Sequence, residues 1–401
     1  MKSYLQNDKY FKILKTSLLF ILPIVSILSH KLIPLFLLAM SLTNFKTFPV
    51  FFKKETFLPP LSSSSSLSKE TRLMEWLIFL YASASVVWSE DPVDSCLKLL
   101  QMGGMCLLGA HLVRSRPSYE RMGKMCFLYG WGAGALLLGM ELLSQGWLYR
   151  KLHHVPGFLS MSVFNKGVTV LALLFWPWLG IFLRGRSFIW HGGAIFLFTL
   201  FCLLSHSETT VVAMSVSLIA FMVGAAFPTL ISSLIGLGVL FSSIFVLFLP
   251  TLLPSMGGMA LLSSLPTLAH RFLIWDFFVG LIHEKRWFGW GLDAAHFFSH
   301  DQIYVKEYQV SAFHTHNIPL QIWLELGGVG ILLFLGLIYK ILKWIEGIKD
   351  ITPLERNLLF SQFVMIFMIS NAAFGAWQTW WIASLWITVF CNKIFLHHAK
   401  K

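Results

Sequence analysis

The sequence predicts an all-α, polytopic integral membrane protein with about twelve transmembrane helices and one large loop between the ninth and tenth. Three observations carry that prediction. Hydrophobic residues make up 56% of the 401 positions against 12% charged, and the mean hydropathy is +0.70, a balance foreign to soluble chains. Apolar windows near the ~20 residues needed to cross a bilayer recur along the whole length. Lysines and arginines cluster at the ends of those windows, as the rule that fixes orientation requires.

Taken in order, the windows lie at 12–29, 31–50, 73–89, 95–113, 122–144, 163–183, 187–204, 209–227, 229–252, 317–339, 356–373 and 376–396. The first reads as a retained helix, because another apolar segment follows it directly and it has no convincing small-residue cleavage site. Pro34 and Lys46 interrupt the second. The stretch LPPLSSSSSLSKE, residues 58–70, is low in complexity and reads as a flexible linker on the inward side. Residues 254–315 form a different kind of connection. Their segment LAHRFLIWDFFVGLIHEKRWFGWGLD is too aromatic for a disordered linker and predicts an amphipathic helix. The whole chain, 1–401, reads as a single membrane domain, without the internal repeat common in transporters.

Charge sets the orientation. With twelve spans and an inward N-terminus, most lysines and arginines fall inside, and both termini are cytoplasmic. The outward side keeps only Lys31, Arg150, Lys151, Lys166, Arg271, Lys285, Arg286 and Lys306. The net charge of +12 is therefore explained by membrane orientation, and nucleic acid is not implied. Two readings stand for Arg150 and Lys151, which share a short loop with His153 and His154: interfacial contact with lipid phosphates, or a grip on an anionic substrate such as a pyrophosphate.

The five cysteines have no paired spacing and read as small core residues. His314 and His316 form an HxH, with His296 and His300 upstream, but no third ligand stands at a regular spacing, so no metal is expected. His316 is placed where a titratable base is useful, at the outer mouth of the tenth span. Below it Asn317, Gln321, Glu325 and Gly328 recur on one helix face, a polar and small stripe that belongs against the bundle interior. Gly327, Gly328 and Gly330 would let a neighbouring helix approach closely.

HNIPLQIWLELGGVG, residues 316–330, has a His-Asn pair, nine residues and then Gly-x-x-Gly, and it resembles the signature of bacterial O-antigen ligases. VVWSEDPVDS (86–95), RFLIWDFFVGLIHEKRWFGWGLD (271–293) and the span layout are similar to the wider superfamily of O-antigen and exopolysaccharide polymerases, over roughly residues 75–386. The resemblance implies a glycosyltransferase in the bacterial inner membrane that works without metal or other cofactor, its large loop periplasmic. The implied donor is an undecaprenyl-pyrophosphate-linked glycan, and the implied acceptor is a sugar hydroxyl of lipid A core. His316 would be the base, and Arg271 would bind the pyrophosphate. Asn317 would position His316 or a sugar hydroxyl.

One position departs from the family's pattern. Where members often carry a Ser-Arg pair entering the eighth span, this chain has SHSETTVVA, with Glu208 at the expected arginine. Arg150, Lys151 and Lys166 are the candidates to replace it, with His206 a lesser one. A polymerase, which passes the glycan to a second lipid-linked glycan, is the alternative within the superfamily; a protein glycosyltransferase ranks below it. A transporter or flippase is the alternative of another class, disfavoured by the lack of repeats and the scarcity of mid-span charge.

Overall fold

The computed structural model describes residues 2–43, 65–114, 120–184, 188–205, 207–255, 266–298, 303–305, 308–310 and 314–396. The long helices are α1 (Lys2–Leu28), α2 (Ile33–Leu42), α3 (Ser65–Ser85), α4 (Pro92–Arg114) and α5 (Glu120–Leu143). After the short α6 (Trp147–His153) come α7 (Asn165–Phe182), α8 (Phe188–Leu204), α9 (Glu208–Ala226) and α10 (Ile231–Phe245). The remainder comprises α11 (Leu249–Ser255), α12 (Pro266–Glu284), α13 (Ala294–Phe298), α14 (Ile318–Gly347), α15 (Pro353–Ser370) and α16 (Thr379–Leu396). Among the described residues, seven helices are long and apolar enough to cross a membrane, and further apolar helices are shorter. The protein is thus a helical integral membrane protein.

Within this helical layout Ile303–Val305 and Tyr308–Val310 pair as a small antiparallel hairpin, β1 and β2, in the large loop. Of the expected linker, Leu58 to Ser64 lie outside the described residues, and α3 begins at Ser65. In the large loop α12 ends at Glu284, and the chain beyond it continues through a run of turns.

Tight helix contact comes from small residues, as expected where lipid provides no hydrophobic drive. Gly130 and Gly134, one turn apart on α5, face Phe20 and Pro23 of α1; a Cβ at Gly130 would stand 2.4 Å from the Phe20 carbonyl oxygen. The centre is α7, buried on nearly every side, with Trp131 stacked on Trp178 at 4.2 Å. Pro177 inside α7 cannot donate to the carbonyl four residues back, and that carbonyl, Leu173, instead accepts from Gln362 Nε2 at 2.8 Å.

The connections sort to two ends of the bundle. At one end Arg184, just past α7, donates to Glu355 and to the Phe395 carbonyl, and Lys393 donates to the Val113 carbonyl. At the other lie His30, the start of α7, the start of α9, His316 and the α15–α16 turn. There Lys166 reaches His30, His153 donates to the Leu28 carbonyl, and Asn317 meets Asn371.

Helix α14 breaks at Gly327, whose φ of +63° and ψ of −161° are not helical. The turn segment after α12 fills the break. Gly328 and Val329 donate to the carbonyls of Arg286 and Trp287, while Trp290 and Gly291 donate to those of Leu324 and Glu325. Tyr81 donates its hydroxyl to the Leu326 carbonyl at 3.0 Å. The carbonyls of Leu324, Glu325 and Leu326 and the N–H groups of Gly328 and Val329 thereby find partners, without which an interruption near membrane depth would be costly. The glycines thus admit a loop backbone rather than a neighbouring helix: a Cβ on Gly327 would sit 2.4 Å from the Trp287 carbonyl, and one on Gly289 2.5 Å from that of Glu325.

Candidate functional site

His316 precedes the outer segment of α14 and adopts a left-handed backbone, φ +52°, at a local cost of about 1 kcal/mol. The chain around it is tied down to hold that conformation. Thr315 donates its hydroxyl to the Asn317 carbonyl at 2.6 Å, and its own carbonyl accepts from Trp275 of α12 at 3.0 Å. Asn317 caps α14: its Oδ1 accepts from Leu320 N at 2.8 Å and its Nδ2 donates to the Asn371 carbonyl at 3.1 Å. With both ends of its amide occupied and 4% exposure, Asn317 acts on the site by placing its neighbour.

The half-buried His316 ring is oriented by one bond, Nδ1 to the Ala373 carbonyl at 2.9 Å. A carbonyl can only accept, so Nδ1 carries the hydrogen and Nε2 keeps its lone pair. Burial lowers the His316 pKa below the usual imidazole value, with further lowering from the charges of Arg271 and His270 against an opposing pull from the Ala373 bond. The ring is therefore neutral near pH 7 and free to accept a proton at Nε2. His314 lies beside it, ring centres 4.2 Å apart, and burial followed by the neighbouring His316 brings its pKa down to about 4.

Arg271, near the start of α12, is brought within electrostatic reach of His316. Its Nη2 donates to Thr209 Oγ1 at 3.2 Å; burial lowers its pKa while the carboxylate of Glu208 raises it. Glu208 stands in the first turn of α9, where a carboxylate suits the positive end of the helix dipole. It is thus a partner of Arg271 rather than a substitute for the missing arginine. His206 lies outside the described residues.

The basic loop separates into two parts. Arg150 donates to the Gly157 carbonyl at 3.2 Å, and Lys151 lies over the Trp147 ring at 5.2 Å, so both are engaged within their own loop. Their helix α6 is capped by Glu141, which accepts from Leu148 N and Tyr149 N at 3.0 and 2.9 Å. Lys166 instead donates to His30 Nε2 at 3.2 Å, and its charge acts on His314.

Beneath His316 the polar stripe joins three elements. Gln321 accepts from Ala376 N and donates to Glu325, each at 2.8 Å. Glu325, fully buried, also accepts from Trp377 Nε1 and from Asp293 N. The WSEDP segment docks on the same loop: Ser89 and Ser95 donate to the Leu292 carbonyl, Lys285 pairs with Glu90 at 3.1 Å, and Lys98 lies 3.6 Å from Asp293. Ala373, His30 and Thr209 escaped the sequence reading. A backbone carbonyl leaves no residue signature, and neither a lone histidine nor a lone threonine stands out before the fold brings it to the site. Among the described residues no group of three histidine, cysteine, aspartate or glutamate side chains could hold a metal ion.

Residues 193–335, which run from α8 into α14 and include Glu208, Arg271, His314, His316 and Asn317, match the O-antigen ligase family. That match supports the O-antigen ligase superfamily for this chain. Relatives from three Rickettsia species, each named as a candidate polysaccharide ligase, are similar along most of their length. The R. bellii protein is 26% identical over 319 residues, 77% of either chain. That of R. felis is 26% identical over 329 residues, 80% of this chain and 79% of its own. That of R. prowazekii is 26% identical over 403 residues, 94% and 96%. These likenesses support a glycan-transferring enzyme of the ligase or polymerase type, with glycan and lipid-linked substrates in general.

Proposed function

We propose that the protein is an O-antigen ligase type of glycosyltransferase, moving a polysaccharide from undecaprenyl pyrophosphate to a sugar hydroxyl of lipid A core at the periplasmic face of the inner membrane. The observation that carries this reading is the His316 ring held by the Ala373 carbonyl at Nδ1, so that Nε2 keeps its lone pair, within electrostatic reach of Arg271. His316 takes the proton of the acceptor hydroxyl as its oxygen attacks the anomeric carbon. Arg271 binds the pyrophosphate and stabilises the charge that gathers on it as the glycosidic bond breaks. Asn317 keeps His316 in place, and Lys166 supplies further positive charge toward the donor. The donor already carries a good leaving group, so neither metal nor nucleotide enters. The topology that goes with this reading has twelve spans, both termini cytoplasmic, and residues 254–315 outside.

The test is a reconstituted transfer assay with the purified protein, a lipid-pyrophosphate-linked glycan, and either lipid A core or a second lipid-linked glycan as acceptor. Product on lipid A core that disappears in His316→Ala and falls at least tenfold in Arg271→Ala is the expected result, since losing a general base costs about 10²–10⁴ in rate. Lengthening of the lipid-linked chain instead identifies a polymerase. Absence of both products from folded wild-type protein ends the proposal.

A further inference from the structure

Beyond Arg271, positive charge at this end of the bundle gathers at one more place. Lys166 is the second residue of α7, and the first turn of that helix holds no acidic residue. Its ammonium donates to His30 Nε2 at 3.2 Å, which requires a neutral His30 ring. The indole of Trp380 meets the His30 ring edge-on at 5.5 Å and lies 5.8 Å from the Lys166 ammonium. Lys31, exposed and next in the chain to His30, directs its charge at both His30 and Lys166. The charges acting on these two residues are all positive. From the far side Lys166 acts on His314, whose ring rests against His316.

The fold thus sets Lys166 against His30, the residue just before Lys31, bringing two basic positions from distant parts of the chain to one place. Lys166 itself stands in the first turn of α7, where the helix dipole also favours an anion. We propose that Lys31 and Lys166 form a second phosphate-binding locus, on the His314 side of the imidazole pair as Arg271 is on the His316 side, and that it takes one phosphoryl group of the donor's pyrophosphate. The inference rests on the donor named above and moves the replacement for the missing arginine away from Arg150 and Lys151. Those two are satisfied within their own loop by the Gly157 carbonyl and the Trp147 ring. A pyrophosphate gripped from both sides would present its anomeric carbon near the His316 imidazole, with Lys31 and Lys166 taking up charge on the phosphoryl group that departs.

The experiment measures binding of undecaprenyl pyrophosphate to the full-length protein in neutral-lipid nanodiscs, with phosphatidylglycerol nanodiscs as a separate arm. Lys31→Gln and Lys166→Gln are each expected to weaken binding about tenfold, the scale of one hydrogen bond to a charged group. Lys31→Arg and Lys166→Arg are expected to keep most of it, and Arg150→Gln with Lys151→Gln to change it less than threefold. Wild-type binding that persists undiminished in the doubly substituted Lys31→Gln, Lys166→Gln protein overturns the locus and leaves the proposed function standing. Wild type that fails to bind undecaprenyl pyrophosphate sinks both. If the substitutions reduce only the association of phosphatidylglycerol, the lysines are headgroup anchors and the inference is wrong.

Discussion

At the scale of single residues, the chemistry depends on which nitrogen of His316 is free. The Ala373 carbonyl fixes that choice, and burial with nearby positive charge keeps the ring unprotonated to a lower pH than an ordinary imidazole. With a base of lowered pKa, activity should hold from pH 7 down past about 6.5 and decline only in more acid solution. A pH–rate profile of kcat/KM checks this, and a decline centred above pH 6.5 would remove His316 from the base's role. Stability follows the same sign. His314 and His316 bind protons less readily folded than unfolded, so their contribution is complete above about pH 6.5 and is lost as the pH falls toward the His314 value of about 4.

At the scale of elements, α14 is two helices joined at Gly327 and held by the backbone of residues 286–291. The inner piece, Gly328–Gly347, is long enough at about 30 Å to cross the hydrocarbon layer by itself. The outer piece is thereby released to carry His316 against the large loop. Gly327→Ala would force a Cβ into the Trp287 carbonyl in a backbone region that alanine avoids. It is expected to destabilise by about 2 kcal/mol or more, measured as a lowered Tm in detergent. Gly238→Ala on α10 meets nothing within 4 Å and should leave the Tm unchanged or slightly raised. Equal Tm values for the two variants would mean that the break is not a structural requirement.

At the scale of the whole molecule, the two ends of the bundle differ in kind. The site end gathers His30, Lys166, Arg271, His316 and Ala373 from five separate parts of the chain, whereas the opposite end is tied by Arg184, Glu355 and Lys393. With Cys96, Cys106 and Cys126 replaced by serine, Phe158→Cys, at 91% exposure, should react with a membrane-impermeant maleimide on intact cells. Leu354→Cys, at 45%, should react only after permeabilisation. The reverse pattern would turn the protein over and place His316 on the cytoplasmic side.

The sequence by itself determined the membrane, the order of the helices and the residue types able to do the chemistry. Apolar run length and flanking charge are properties of the local chain, and the His-Asn and Arg-x-x-x-Trp segments are local as well. Only the tertiary structure decided that Asn317 is a cap, that Glu141 caps α6, that Arg271 meets Thr209, and that Gly327 receives a loop. Each of those facts is a contact between chemically ordinary groups, in most cases far apart in the chain or borne by the backbone. The same reason separates Lys166 from Arg150 and Lys151: all three read alike along the chain, and only the partner that the fold sets beside each one tells them apart.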